Sequence, residues 1–294
     1  MPRLPTLPGP RPPWLRVRVP APEVTAEVER LMRSKSLVTV CEEARCPNQH
    51  ECWGLHRTAT FMLLGEVCTR HCGFCNVGKG RPGSVDPGEP QRVAEAVAAL
   101  GLSFAVVTSV NRDDLEDGGA GHFAQTIAWI RALNPACGVE VLVPDFQGRE
   151  EDLRTVLAAG PRVLNHNVET VPSLYHRVRP DADYRRSLEL LRRAARWRDE
   201  KAPEMKVKSG AMLGLGETDA EVQALLGDWR ASGVDVVTLG QYLPPSPTHL
   251  PLRRFVKPEE FDQYREQGLS LGIPRVESGP LVRSSYHARE SAGD

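Results

Sequence analysis

No stretch of roughly 18 or more apolar residues occurs in this 294-residue chain, so nothing in it is long enough to cross a bilayer as a helix. Neither sign of charge is in excess. Thirty-seven Lys and Arg stand against 38 Asp and Glu, a net charge of −1. No global field therefore favours nucleic acid or an anionic membrane surface, and neither is expected as a partner. The first residues carry Arg and Pro but no apolar run of the kind a secretory signal needs, so a soluble cytoplasmic protein is expected. Internal repeats are missing, and the one compositionally biased tract is a proline-rich stretch at the start.

What the chain does have is enough apolar residue, 40% hydrophobic against 26% charged, for one large α/β domain or two small ones. It also has seven cysteines in an unusual distribution. Six of them, Cys41, Cys46, Cys52, Cys68, Cys72 and Cys75, fall between positions 41 and 75, and Cys137 stands apart. In a small secreted protein such crowding suggests disulfides. Here the chain is long and one cysteine is left over, which favours a metal or redox role.

Residues 1–22 contain eight prolines and the pair Trp14-Leu15. Each proline removes a donor and fixes φ, so an extended arm over the domain surface is expected rather than a helix. A helical pattern covers 23–35. From residue 59 onward, β-branched runs alternate with helical stretches. Strands are predicted at 59–65, 104–109, 139–144, 162–169, 206–214 and 234–240. Helices are predicted near 90–100, 121–133, 149–159, 183–201, 218–232 and 258–270. That alternation means βαβ units and a parallel sheet, and right-handed crossovers would curl six such units into an open barrel. Active groups in such folds sit at the C-terminal ends of strands. Polar residues cluster there: Thr108, Ser109, Asn111, Asp113 and Asp114 after the second strand, and Asn165, Asn167 and Glu169 at the end of the fourth.

Cys68, Cys72 and Cys75 have the spacing C-x3-C-x2-C directly after the first predicted strand. Three thiolates on one tight loop can hold three irons of a cubane and leave the fourth iron open, as a catalytic metal centre requires. The competing reading is a zinc site with His71 as fourth ligand, in a module with no catalytic role. His71 sits between two of the cysteines on the same turn, where its geometry is poor. The upstream group, Cys41, Cys46 and Cys52, is spaced C-x4-C-x5-C and again has three cysteines with no fourth nearby. A second cluster could carry electrons, bind substrate or supply sulfur, and the spacing does not choose among these.

CTRHCGFC (68–75), with an aromatic residue before its last cysteine, resembles the radical S-adenosylmethionine superfamily. Combined with CEEARCPNQHEC (41–52) upstream, the pattern resembles the lipoyl synthase family, and the resemblance runs along nearly the whole chain. It includes PPWLRV (12–17), TATFMLLG (58–65), VVTSVNRDDLEDGGAGHFA (106–124), LNHNVETV (164–171), YHRVRPDADYRRSL (175–188), KSGAMLGLGET (208–218), LGQYLPPSPTHLPL (239–252) and SGPLVRSSYHA (278–288). Arg57 and Glu277 replace small residues the family favours. A relative of biotin synthase is the alternative within the superfamily, but it would lack the upstream cysteine group.

The resemblance implies an α/β fold, a partial (β/α)6 radical-SAM barrel over 59–272. An N-terminal extension over 1–58 would carry the auxiliary cysteine motif, and a C-terminal tail over 273–294 the RSSY motif. It implies two 4Fe–4S clusters and S-adenosyl-L-methionine (SAM) as cofactors. Cys68, Cys72 and Cys75 would hold the cluster that binds SAM. Cys41, Cys46 and Cys52 would hold the auxiliary one, with Ser285, rather than Ser284, as its fourth ligand. The strand ending in HNVET would face SAM, which makes Asn167 and Glu169, together with Ser109 and Asn111, the candidate cofactor contacts. Arg112 reads equally well as a structural ion-pair partner. LGLGET (213–218) is expected to approach the nucleoside through its backbone, and PPSPTHLP (244–251) to form the rim. Cys137 is expected to be an incidental thiol. The implied activity is sulfur insertion at the sixth and eighth carbons of a protein-bound octanoyl group, with the auxiliary cluster as sulfur source. Implied partners are octanoylated lipoyl carriers (the glycine cleavage H protein and the E2 subunits of 2-oxo acid dehydrogenases), a reductant such as flavodoxin or ferredoxin, and an iron–sulfur carrier protein. A monomer is expected.

Overall fold

The computed structural model describes residues 10–16, 26–43, 48–49, 60–285 and 288–292. Cys46, Cys52, Arg57 and Tyr286 lie outside the described residues. Among the described residues, eight strands form one sheet in the order β1-β2-β5-β6-β7-β8-β9-β10. They are β1 (Val38–Thr39), β2 (Thr60–Leu63), β5 (Phe104–Ser109), β6 (Gly138–Leu142), β7 (Val163–Asn165), β8 (Lys206–Leu213), β9 (Val236–Gln241) and β10 (Arg275–Gly279). A separate two-stranded ribbon pairs β3 (Val67–Cys68) with β4 (Gly78–Lys79). Only β1 runs antiparallel, against β2; every other pair in the large sheet is parallel.

Six helices return the chain between the parallel strands: α3 (Glu89–Ala99), α4 (Ala120–Leu133), α5 (Glu150–Ala158), α7 (Tyr184–Lys201), α8 (Asp219–Ala231) and α9 (Pro258–Ser270). The other helices are α1 (Ala26–Ser34), α2 (Val40–Glu43), the single turn α6 (Tyr175–Val178) and α10 (Ala288–Ala292). The six expected strands and six crossover helices are thus all present. No helix among the described residues is long and apolar enough to cross a membrane.

Side-chain parity explains how the sheet curls. Odd-numbered residues such as Ala105, Val107, Val139, Val141, Val207, Val237 and Leu239 join the main core, which they share with helix residues such as Phe123, Leu153, Val222, Trp229 and Phe261. Even-numbered residues on the opposite face, Thr60, Met62, Thr108, Leu142, Gly210, Met212, Thr238 and Gly240, line a single cavity. Strands from the beginning, middle and end of the sheet share that cavity, so the sheet wraps around it. β1 and β10 remain edges, and the barrel is open. Below the cavity on the same face lie Glu140 and Lys208, both fully buried, with Nζ 3.1 Å from Oε2. Asn165 donates to the same carboxylate at 2.9 Å. A charged pair this deep is tolerated because each member has the other.

Two expectations about elements need correction. The stretch after α9 was read only as tail, yet β10 adds a seventh parallel strand there, paired with β9 from Arg275–Val236 to Gly279–Gly240. The fourth strand ends at Asn165 rather than at 169. Glu169 takes a positive φ of 73° and makes an isolated bridge to Ala211, and a residue in that conformation cannot continue a ladder. Of the proline-rich arm, residues 10–16 are described. They make one 3-10 turn, Pro13–Leu15, with Pro at the permitted first position and Leu15 buried.

Candidate active site

Cys68 closes β3, and the loop carrying Cys72 and Cys75 returns to β4, so the ribbon holds the two ends of the cysteine loop together. Other elements fix the loop from outside. Gly73 N–H donates to Val178 O at 2.9 Å, and Leu250 N–H donates to Gly73 O at 3.1 Å. The Asn111 and Arg70 amides point at the Cys68 Sγ, at 3.3 and 3.5 Å.

Arg70, between the first two cysteines, anchors the loop. Its guanidinium is buried and donates to Asp113 at 2.6 and 2.8 Å and to Asp145 at 2.6 Å. Burial alone would lower its pKa. The hydrogen bonds to the two carboxylates outweigh that and hold it above the usual arginine value. Burial likewise opposes ionisation of Asp145, but Arg70 dominates and keeps that carboxyl below the usual range. His71 points elsewhere. It is 64% exposed and its Nδ1 faces Asp181 at 3.2 Å, so it does not join the thiols. Among the described residues, no three His, Cys, Asp or Glu side chains are gathered around one ion's position, the arrangement zinc requires.

The cavity has a volume of about 560 Å³. Cys68, Cys72 and Cys75 line it, as do all four expected cofactor contacts, Ser109, Asn111, Asn167 and Glu169. Cys41, Ser284 and Ser285 line the same cavity. Cys46 and Cys52 lie outside the described residues. Desolvation raises the Cys72 thiol and pushes Cys75 up to about 11. Such thiols keep their protons until a metal displaces them. Burial also raises the Glu169 carboxyl, opposed by the positive charge of Arg179.

Several buried polar atoms here have no partner: Ser109 Oγ, Asn111 Oδ1, Asn167 Oδ1 and Arg179 Nε. Buried polar atoms are almost always paired, so four orphans around one cavity mark a place for a polar ligand. Gly210 makes room beside them, since a Cβ there would collide with Thr238 Oγ1 and crowd Asn167 Oδ1. Three soft thiols on one loop, with unpaired polar atoms next to them, suit an iron–sulfur cluster with one open iron and an amino-acid-like ligand on it.

Arg179 was not foreseen as a site residue. It leaves α6, donates to Asn167 O at 2.8 Å and to Tyr175 Oη at 2.9 Å, and reaches the cavity wall. His166, Thr238 and Gln241 also line the cavity and were not singled out. Arg112 is an ion-pair partner, with Nε and Nη2 each 2.9 Å from Asp114.

In LGLGET the Gly214, Leu215 and Gly216 amides all donate to the Glu217 carboxylate, so the loop caps itself, and residues 213–218 lie outside the lining of the cavity. The 244–251 loop does reach the rim through Pro244 and Pro245, and His249 Nε2 lies 3.2 Å from Cys75 O. Cys137 lies apart, half-buried at the start of β6, with its thiol pushed up to about 11 by burial.

Comparison with known proteins agrees with this geometry. The Radical SAM superfamily model matches residues 62–228. The lipoyl synthase of Koribacter versatilis (strain Ellin345) is 56% identical over 98% of this chain and 93% of that protein. The lipoyl synthase of Rubrobacter xylanophilus is 55% identical over 97% of this chain and 87% of that protein. Among solved structures, Streptococcus suis SuiB bound to S-adenosylmethionine is similar with a TM-score of 0.58 at 11% identity, covering 87% of this chain and 61% of that one. HydG, a maturase of the [FeFe]-hydrogenase, is similar with a TM-score of 0.53 at 17% identity, covering 78% of this chain and 58% of that one. At such identities the structural likeness speaks for the barrel alone.

Proposed function

Because the chain belongs to the lipoyl synthase family of radical SAM enzymes, we propose a division of labour among the residues of its one cavity. The reaction is insertion of sulfur at the sixth and eighth carbons of an octanoyl group carried on a protein. Those C–H bonds have no acidity for a base to exploit, so no side chain here can open them by proton transfer. When bound, the cluster and SAM supply a carbon radical able to take a hydrogen atom from such a bond. The protein's part is to hold, orient and shield.

Cys68, Cys72 and Cys75 hold the cluster with the open iron, on a loop pinned by Arg70. Ser109, Asn111, Asn167 and Glu169 bind SAM, with the unpaired Arg179 Nε beside them. Cys41, with Cys46 and Cys52, and Ser285 hold the auxiliary cluster that supplies the sulfur. Met62, Leu142, Val143 and Met212 give the cavity an apolar wall suited to an alkyl chain. The observation that carries this reading is convergence. Cys41 and Ser285 are far apart in sequence, yet both line the cavity that holds the radical-SAM cysteines. We further read the octanoylated substrates as the glycine cleavage H protein and the E2 subunits of 2-oxo acid dehydrogenases. Flavodoxin or ferredoxin would supply electrons, and an iron–sulfur carrier would restore the auxiliary cluster. The enzyme would work as a cytoplasmic monomer.

Anaerobic reconstitution followed by turnover of an octanoylated lysine peptide tests this. About eight irons per chain are expected, together with lipoyl product. A count near half that would remove the second cluster. SAM cleavage without any sulfur-containing product would remove the substrate assignment.

A further inference from the structure

The C-terminal tail is held at several points before and after its serines. After β10, Val282 N–H donates to Gly279 O at 3.1 Å and turns the chain back. The Val282 carbonyl then rests against Gly240 of β9, where any Cβ would collide with it. Asn48 makes the next contact. Its side chain is 1% exposed, and its Nδ2 donates to Leu281 O at 2.7 Å. Asn48 stands two residues after Cys46 in the N-terminal cysteine segment. Further on, Ala288 is buried against Phe104, Val106 and Val163. Ser284 and Ser285 lie between these anchors and line the cavity with Cys41.

A serine oxygen is a hard, weak donor to sulfide-bridged iron. It cannot hold its own chain segment in place as a thiolate would. The entropy of ordering the tail has to be met by protein contacts instead. A buried amide donor reaching a backbone carbonyl is such a contact, and here it comes from the very segment that bears the other ligands. We propose that Asn48 is a positioning residue that couples the N-terminal cysteine segment to the C-terminal tail and so brings Ser285 to the auxiliary cluster. Gly240 is the surface on which the tail seats. The proposal rests on the reading that Cys41, Cys46, Cys52 and Ser285 share one cluster.

The test uses the full chain reconstituted anaerobically, as parent and as Asn48→Asp, Gly240→Ala and Ser285→Ala. Asn48→Asp keeps size but removes the donor and sets a carboxylate against a carbonyl oxygen. Three quantities are read: hydrogen exchange of residues 281–285, the auxiliary-cluster spectrum, and SAM cleavage. In Asn48→Asp the tail amides should exchange roughly tenfold faster, the loss of one buried hydrogen bond. Its auxiliary spectrum should shift toward that of Ser285→Ala, with SAM cleavage unchanged. Gly240→Ala should loosen the tail by an independent route and give the same spectral change. Parent-like exchange and spectrum in both Asn48→Asp and Gly240→Ala overturn the proposal, while a changed Ser285→Ala spectrum keeps the ligand reading. A parent-like spectrum in Ser285→Ala overturns that reading and the proposal with it. If Asn48→Asp loses both clusters by misfolding, Gly240→Ala decides. A loosened tail with an altered auxiliary spectrum supports the coupling, and a parent-like spectrum overturns it.

Discussion

His166 is wedged under the cavity wall, with Nδ1 2.9 Å from Val143 O and Nε2 3.0 Å from Ser187 Oγ. Ser187 meets Tyr175 Oη at 2.7 Å, and Tyr175 receives Arg179, which also holds Asn167 O. One chain of hydrogen bonds thus runs from His166 back to the neighbouring Asn167. Burial, helped by the nearby positive charge of Arg179, lowers the His166 pKa from 6.5 to about 4. The folded state therefore keeps His166 neutral, while the unfolded chain takes up a proton below the ordinary value. Stability attributable to this residue is complete above about pH 6.5 and is lost as pH falls toward about 4, by at most about 1.4 kcal/mol per pH unit. Asp145 and Asp113, held low by Arg70, add their own loss only at more acidic pH. Urea unfolding across that window should show the decline in the parent and a flatter profile in His166→Asn. Equal slopes would assign the titration to other groups. The four candidate cofactor contacts, Ser109, Asn111, Asn167 and Glu169, stood out because polar residues at strand ends of a βα-repeat chain are conspicuous, and all four line the cavity. Arg179 did not. In a basic stretch an arginine reads as solvated, and nothing local tells that a single helical turn folds it back over the end of β7. Arg70 was hidden for the same reason, since its carboxylate partners come from two different strand ends.

At the scale of elements, each crossover helix carries the chain from one parallel strand to the next, and its caps lie outside the cavity. Helix α8 is an example. Thr218 caps it by accepting the Glu221 amide at 3.3 Å, while Glu221 accepts the Thr218 amide at 2.8 Å, a reciprocal capping box. Ser173, in the 3-10 turn Pro172–Leu174, also donates to Glu221, which ties the cap to the turn leading into α6. Thr218→Ala should lower unfolding stability by about 1 kcal/mol. SAM cleavage by the reconstituted protein should not change, because none of these groups lines the cavity. A large loss of cleavage with normal stability would mean that the cap orients Arg179 through α6. The crossover helices were readable because their apolar spacing and the β-branched runs between them agree with the tertiary burial. β10 was not. Its sequence, RVESG, has only Val276 as a buried apolar residue, and the strand is stabilised by backbone pairing to β9 rather than by its own composition. β7 was read as too long because its last polar residues alternate as a strand would. The chain instead leaves the ladder after Asn165 to deliver Asn167 and Glu169 to the cavity.

At the scale of the whole molecule, one barrel mouth receives segments from both ends of the chain. Arg11 and Cys41 reach it from the N-terminal side, and Val282 through Ser285 from the C-terminal side. The barrel loop supplies a third set, Cys68, Cys72 and Cys75. Two tasks can therefore be separated by mutation although they share a cavity. Replacing Cys68, Cys72 and Cys75 together by Ala should leave about four irons and no SAM cleavage. Replacing Cys41, Cys46 and Cys52 together should also leave about four irons, but with cleavage retained and no sulfur inserted. The serine is the sharper test. A hard oxygen on iron exchanges readily, and a donor that leaves is needed if the cluster must open when its sulfide bonds to carbon. Ser285→Ala should thus alter the auxiliary cluster and cripple product formation. Ser285→Cys should hold the cluster more firmly and stall it. Single-turnover product formation, with both clusters quantified by spectroscopy, separates these outcomes. A Ser285→Ala protein matching the parent would move the ligand role elsewhere. A defect in Ser284→Ala alone would assign it to the neighbouring serine, which lines the same cavity. Lipoyl product from the protein lacking Cys41, Cys46 and Cys52 would mean that the sulfur does not come from a cluster held at this mouth.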